Sequence, residues 1–238
     1  MPIDIATGPH AVKPIRELLT RFTPVEKTTA DPNNATLTYD IIDWTFRPHT
    51  PPPAPNRVYG SLAIKRQSTP SATLYQIQQT THIGGQATQL NAELTCDLDD
   101  ALESWTLHTY REDANGDPVP VSELREHGRN NNGHIQSQAG TYNYHAHNTV
   151  LSHWTLPHRL MRNVASPPVA FDMLQDLSVL RANQRLNDEG RIDLDSGTYH
   201  SFAQTGEGIL PTHYLLDDRR RPQLITFGLI AWALTDIA

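Results

Sequence analysis

A chain of 238 residues with a net charge of −7 carries no general attraction for nucleic acid. At 37% hydrophobic and 19% charged residues it builds a core and is not a disordered acidic segment. A single cysteine, Cys96, excludes an internal disulfide and a cysteine zinc site, and no apolar run reaches the roughly 18 residues of a membrane-spanning helix.

The length suits one β domain over residues 1–238, with residues 1–35 as a helix and a polar lead-in. Met1–Lys13 hold no apolar run of signal length, so the sequence as given reads as cytoplasmic, or as exported if a leader was removed. Ile15, Leu18, Leu19 and Phe22 recur at helical spacing behind Pro14, which predicts a short helix over 14–22. From Leu37 the period falls to two. Leu37, Tyr39 and Ile41 share a phase, and then Ile42, Trp44 and Phe46 take it over. One extra residue turns a strand's side chains over, so a β-bulge is expected there. Pro48–Pro55 holds five prolines in eight residues, and 48–56 is expected to be a rigid surface loop.

Four strands follow at Val58–Arg66, Thr73–Thr81, Gln86–Leu94 and Leu102–Arg111; in the second, Tyr75, Ile77 and Gln79 share a face. Gly84-Gly85 marks a hairpin turn. Asn115-Gly116 and the run Asn130–Gly133 bracket Val121–Gly128, which reads as a helical turn or a loop. His134–Ala139 and Tyr142–Trp154 read as strands, the second being the longest uninterrupted pattern. Pro167 and Pro168 then open a predicted helix over 168–180, with Phe171, Leu174 and Leu177 as its apolar stripe. Arg191–Leu194, Thr198–Gln204, His213–Leu216 and Gln223–Leu234 complete the strands, the last apolar on both faces and therefore central. Short strands between regularly spaced turns predict a mainly β fold, a curved antiparallel sheet or partly open β-barrel.

The chain is rich in histidine, with twelve. Strand alternation puts His145 and His147 on one face and Tyr142 and Tyr144 on the other. Two imidazoles at i and i+2 lie about 6.6 Å apart at Cα and can share a metal, but a third ligand is needed. His134, His200 and His213 are all open for that place. The same cluster suits acid–base chemistry, with His145, His147 and Tyr144 as catalytic groups. Tyr142, His153, Trp154 and Arg159 (or Arg162) would then hold the substrate. A plain exposed polar face is the third reading. The pattern names no metal and no cofactor. Asp193–Gly197 begins like a calcium loop without completing it, and Gly206-Glu207-Gly208 lacks the remainder of a phosphate loop. Asp97, Asp99 and Asp100 read as an acidic turn, and Asp217-Asp218 before Arg219–Arg221 as a charged one.

The run Phe171–Ser178 with Leu180-Arg181, read as a helix, leads through strands to Tyr214–Asp218 and Arg221-Pro222. This order resembles a family of uncharacterised, usually exported bacterial β proteins. The resemblance covers about the C-terminal third. It implies a curved sheet or partly open barrel against a helix, somewhat like outer-membrane lipoprotein carriers, and it implies no catalytic residue.

The leading expectation is a ligand-binding β domain for a hydrophobic or glycan-type small molecule. The alternative is a carbohydrate-active enzyme of lyase or isomerase type working through the histidine and tyrosine cluster, with or without a metal. A protein that binds partners through its sheet edges and proline stretch is the third. Neither nucleic acid nor a membrane span is expected, and oligomeric state stays open.

Overall fold

A strand with one apolar phase must bury that face, and among the described residues fifteen strands surround a common interior. The computed structural model describes residues 18–19, 22–26, 30–43, 57–83, 86–113, 115–138, 142–162, 170–228 and 230–238. The strands are β1 (Thr36–Asp43), β2 (Arg57–Ser68), β3 (Thr73–Ile83), β4 (Gln86–Cys96), β5 (Leu102–Arg111), β6 (Leu124–Asn131), β7 (His134–Ser137) and β8 (Asn143–His145). They continue as β9 (Val150–Ser152), β10 (Phe171–Gln175), β11 (Val179–Leu194), β12 (Gly197–Thr205), β13 (Thr212–Leu216), β14 (Pro222–Phe227) and β15 (Ile230–Ile237). A six-residue helix, α1 (Leu156–Met161), joins β9 to β10.

All fifteen belong to one sheet in the order β8-β7-β6-β5-β4-β3-β2-β1-β15-β14-β13-β12-β11-β10-β9. The chain therefore starts at the middle, steps outward to one edge, and returns from the other edge until β15 lies beside β1. Thr36 and Ala238 exchange backbone hydrogen bonds of 2.7 and 3.0 Å where the circuit meets. Pairing is antiparallel between successive neighbours except for β9 and β10, which are parallel. Parallel neighbours need a crossover, and the segment containing α1 supplies it.

The two outer edges, β8 and β9, are consecutive in sequence, so residues 146–149 hold them together. Side chains close the seam. Tyr142 and Tyr144 send their hydroxyls to the backbone carbonyls of Leu177 and Ser178, the latter at 3.0 Å, in the turn between β10 and β11. The Asp172 carboxylate accepts the backbone N–H groups of His147 (2.8 Å), Asn148 (3.2 Å) and Asn183 (2.9 Å) and the Asn148 amide (3.0 Å). Burial pushes its pKa up, but these bonds outweigh that and hold it below the ordinary aspartate value. The result is a curved sheet rolled almost into a barrel.

Periodicity of two located β2 to β5 to within a few residues. The bulge also stands where the phase flips: register against β2 shifts between Ile41 and Ile42, so Ile41 enters the interior and Ile42 the outer cluster. Four expectations are corrected. Residues 171–180 form β10, a turn and the start of β11, not a helix; β10 lies between two strands and buries both faces, which mimics a helical stripe. Tyr142–Trp154 is broken into β8 and β9 by the seam loop, and Gln223–Leu234 is a hairpin whose turn contains Gly228 at φ +56°. Val121–Gly128 contributes most of β6. Of the predicted helix at 14–22, residues 18 and 19 are helical, and the Phe22 N–H donates to the Leu18 carbonyl at 2.9 Å. Leu18 and Phe22 cover Tyr199, Leu215 and Leu224 on the outer face of the sheet. The remainder of that helix, the proline stretch at 48–56, Trp44, Phe46 and Gly84-Gly85 lie outside the described residues.

The ends of the barrel differ. At the end where β2 finishes and β3 begins, α1 forms a plug with Leu156 and Leu160 in the core. Beside it Arg66, 1% exposed, meets Asp100, 0% exposed, through Nε (3.3 Å) and Nη2 (3.2 Å). The Tyr75 hydroxyl donates to the same Asp100 oxygen at 2.8 Å, and Arg162 pairs with the other. Arg66 also donates to the Asn33 carbonyl and to Ser68 and Thr73. His158 donates through Nε2 to the Ala35 carbonyl at 3.1 Å, edge-on to the Tyr75 ring. Burial, helped by Arg66 and Arg162, drops its pKa to about 3, so it stays neutral. Cys96 is fully buried here, and burial raises its thiol well above the ordinary value, which leaves it a core residue.

Candidate functional site

Arg66 and Tyr59 lie seven residues apart on β2, about 23 Å along the strand. Tyr59 marks the opposite, open end, and there the interior is not filled. A cavity of about 550 Å³ sits between β1, β2, β3 and the strands β10 to β15. Its floor is Ile41, Tyr214, Ile225 and Trp232, none more than 4% exposed. Phe227 meets Trp232 edge-on at 4.9 Å and extends this aromatic wall. The rim includes Asp176, whose side chain is 58% exposed, and Leu210 at 66%.

Polar side chains enter the cavity because they occupy inward phases. Gln79 follows Tyr75 and Ile77 on β3, and Gln204 follows Phe202 on β12. The Gln204 amide is fully occupied: its carbonyl accepts from the Tyr214 hydroxyl (3.0 Å), while its nitrogen donates to Gln184 (3.1 Å) and the Met173 sulfur (3.2 Å). Gln79 makes no side-chain hydrogen bond among the described residues. Arg181 is half-buried and donates through Nε to Gln175 Oε1 at 3.1 Å. Its two terminal nitrogens donate to nothing among the described residues.

His153 also lines the cavity, between the rings of Trp154 (4.3 Å) and Trp232 (5.9 Å). Its Nδ1 accepts from the Asp176 backbone N–H at 3.3 Å, and its Nε2 lies 3.4 Å from the Asp176 carboxylate. Burial lowers its pKa while Asp176 opposes the shift; the net direction is down, toward the neutral ring.

The other residues singled out from sequence go elsewhere. The alternation across Tyr142–His147 holds: the tyrosine rings stack at 5.1 Å, half-buried, and the exposed His145 and His147 rings lie 5.4 Å apart. His134 approaches His145 at 6.3 Å, but its Nε2 contacts the Gln136 amide. Among the described residues no three His, Cys, Asp or Glu side chains are arranged to hold a metal. Both tyrosine hydroxyls belong to the seam. Trp154 is 0% exposed within the core, and Arg159 donates to the Asp99 carbonyl at the closed end. Only His153 of that set lines the cavity. A second depression, on the outer face of β3 to β6, is lined by side chains such as Gln76, Gln78, Asn91 and Glu93, and its His108 and Arg125 already pair with Glu123 (2.9 and 2.6 Å). Sequence reasoning did not single out Arg181, Tyr59 or Trp232. The usable signal was Gln79, a polar residue in an inward strand phase.

No family model and no curated protein matches the sequence. Among solved structures the chain is similar to a DUF1089 family protein from Pseudomonas aeruginosa, at 14% identity over 78% of this chain and 96% of that one, with a TM-score of 0.41. It is also similar to a β-barrel-like protein of domain of unknown function DUF1849 from Brucella abortus, at 9% identity over 86% of this chain and 97% of that one, with a TM-score of 0.52. This second likeness concerns the fold alone, and on that level the chain is a β-barrel-like protein built on one large, mainly antiparallel sheet.

Proposed function

We propose that the protein is a ligand-binding β domain that takes a small, largely apolar molecule into the open end of its barrel. The supporting observation is the cavity of about 550 Å³, within the range of roughly 300–1,000 Å³ typical of small-molecule sites. Its floor is buried and built of aliphatic and aromatic side chains, its rim is open, and two of its polar side chains, Gln79 and Arg181, have unused donors among the described residues. Among the described residues the opposite end is filled by α1, and Arg66 and Arg162 are paired there with Asp100, which favours entry from the open end. Acid–base chemistry centred on His145 draws no support from the geometry, because its rings are exposed and the Tyr144 hydroxyl is committed to Ser178.

The test uses N-phenyl-1-naphthylamine, a neutral apolar fluorophore that brightens on leaving water. The protein is expected to bind it saturably. Ile230→Trp grows a half-buried cavity residue into the open space. It should weaken binding at least about tenfold, the loss of roughly 1.4 kcal/mol of contact, without lowering the melting temperature. Absence of saturable binding, or binding indifferent to Ile230→Trp, contradicts the proposal.

A further inference from the structure

The cavity runs from an apolar depth to a rim that carries Arg181, and we infer that its ligand is a monoanionic amphiphile, a carboxylate on an apolar body, with the carboxylate on Arg181. This inference rests on the cavity reading and adds the chemistry of the head group.

Three observations carry it. First, Arg181 is a half-buried cation lining the cavity, and no carboxylate of the described residues lies within ion-pairing distance of it. The contrast with Arg66 and Arg162, both paired with Asp100, is direct. Second, the guanidinium is positioned but not used up. Gln175 accepts from Nε and fixes the plane, while Nη1 lies against Gly208. Gly208 has φ +71°, and a Cβ there would come within 2.9 Å of Nη1, so this loop leaves room for the fork. A planar carboxylate matches two parallel N–H donors. Third, the floor of Ile41, Tyr214, Ile225 and Trp232 is largely apolar, with the Tyr214 hydroxyl turned to Gln204, which orients the body inward and the head toward the rim.

The acidic groups nearby set the charge. Asp176 sits on the same rim, engaged with His153, and the Glu207 carboxylate accepts from the Asn183 amide at 2.9 Å. Arg181, which has no carboxylate partner among the described residues, can pair with one carboxylate, and Asp176 and Glu207 disfavour a second negative charge. A phosphomonoester brings roughly 1.5 to 2 charges and would leave a surplus facing Asp176.

The experiment displaces N-phenyl-1-naphthylamine with decanoate, decanol and decyl phosphate, which share one tail. Decanoate is expected to bind about 10- to 100-fold more tightly than decanol, as a charge-assisted bidentate contact implies. That preference should shrink as salt rises, and decyl phosphate should bind no better than decanoate. Arg181→Gln should erase the preference, bringing decanoate to the affinity of decanol. Equal binding of decanoate and decanol, a preference that survives Arg181→Gln, or a clear advantage for decyl phosphate overturns the carboxylate assignment while leaving the cavity reading standing. Failure of the fluorophore and all three competitors to bind removes the cavity reading and this inference with it. Should Arg181→Gln not fold, the wild-type ratio and its salt dependence still decide.

Discussion

The two ends of this barrel solve opposite problems with the same residue types. At the closed end, Arg66 and Arg162 share Asp100, the Tyr75 hydroxyl donates to the same carboxylate, and Ser68, Thr73 and the Asn33 carbonyl accept from Arg66, while Arg162 Nε and His158 Nδ1 are left without a partner among the described residues. At the open end, Arg181 keeps two terminal nitrogens and Gln79 a whole amide without a partner among the described residues. Burying a charge is costly unless it is paired, and the closed end meets that cost with neighbours. The open end leaves it to water, or to whatever enters. That difference is what supports reading the open end as the place where a ligand enters.

Breaking the closed end should be the most damaging change. Asp100→Ala leaves two arginines without their shared carboxylate and is expected to cost about 3–5 kcal/mol, read as a drop in the denaturant midpoint. An effect below about 1 kcal/mol would mean the cluster is wetter and looser than its burial implies. Acid acts next. The unfolded chain takes up a proton at His158 near pH 6.5, while the folded imidazole refuses it until about pH 3. Stability from this group is therefore complete above 6.5 and is lost on acidification through that window, by about 1.4 kcal/mol per pH unit. His158→Leu should flatten that slope, whatever it does to stability at neutral pH. The smallest effect belongs to the seam. Tyr144→Phe removes one hydrogen bond to the Ser178 carbonyl and should cost about 1 kcal/mol, with faster amide exchange confined to residues near 144 and 178.

How much of this was legible in the sequence depended on what each inward position holds. β2 to β5 were readable because Leu62, Ile64, Tyr75, Ile77, Leu94 and Trp105 keep the inward phase apolar. β6 was not, since its inward residues are Glu126 and Gly128. Gly128 is small because Trp105 lies over it: a Cβ there would fall 2.0 Å from the indole. β10 was misread because burial on both faces removes the alternation, leaving Phe171, Leu174 and Leu177 at a helical spacing. Arg181 was lost with it, since a helix ending at Leu180 gives the next residue no inward strand phase. The closed-end cluster joins residues 34 apart in sequence, and no local pattern signals that. His145 and His147 were correctly paired on one face, but pairing along a strand says nothing about depth.

The central claim is that only one end of the barrel is built to receive a molecule. The most direct test is an amide and indole chemical-shift map as N-phenyl-1-naphthylamine is added to the isotope-labelled protein. The account predicts perturbations centred on Gly208, Ile225, Gly228 and the Trp232 indole, with Tyr75, Asp100 and His158 unmoved. Perturbations gathered instead around the α1 plug, or on the outer face of β3 to β6, would contradict it.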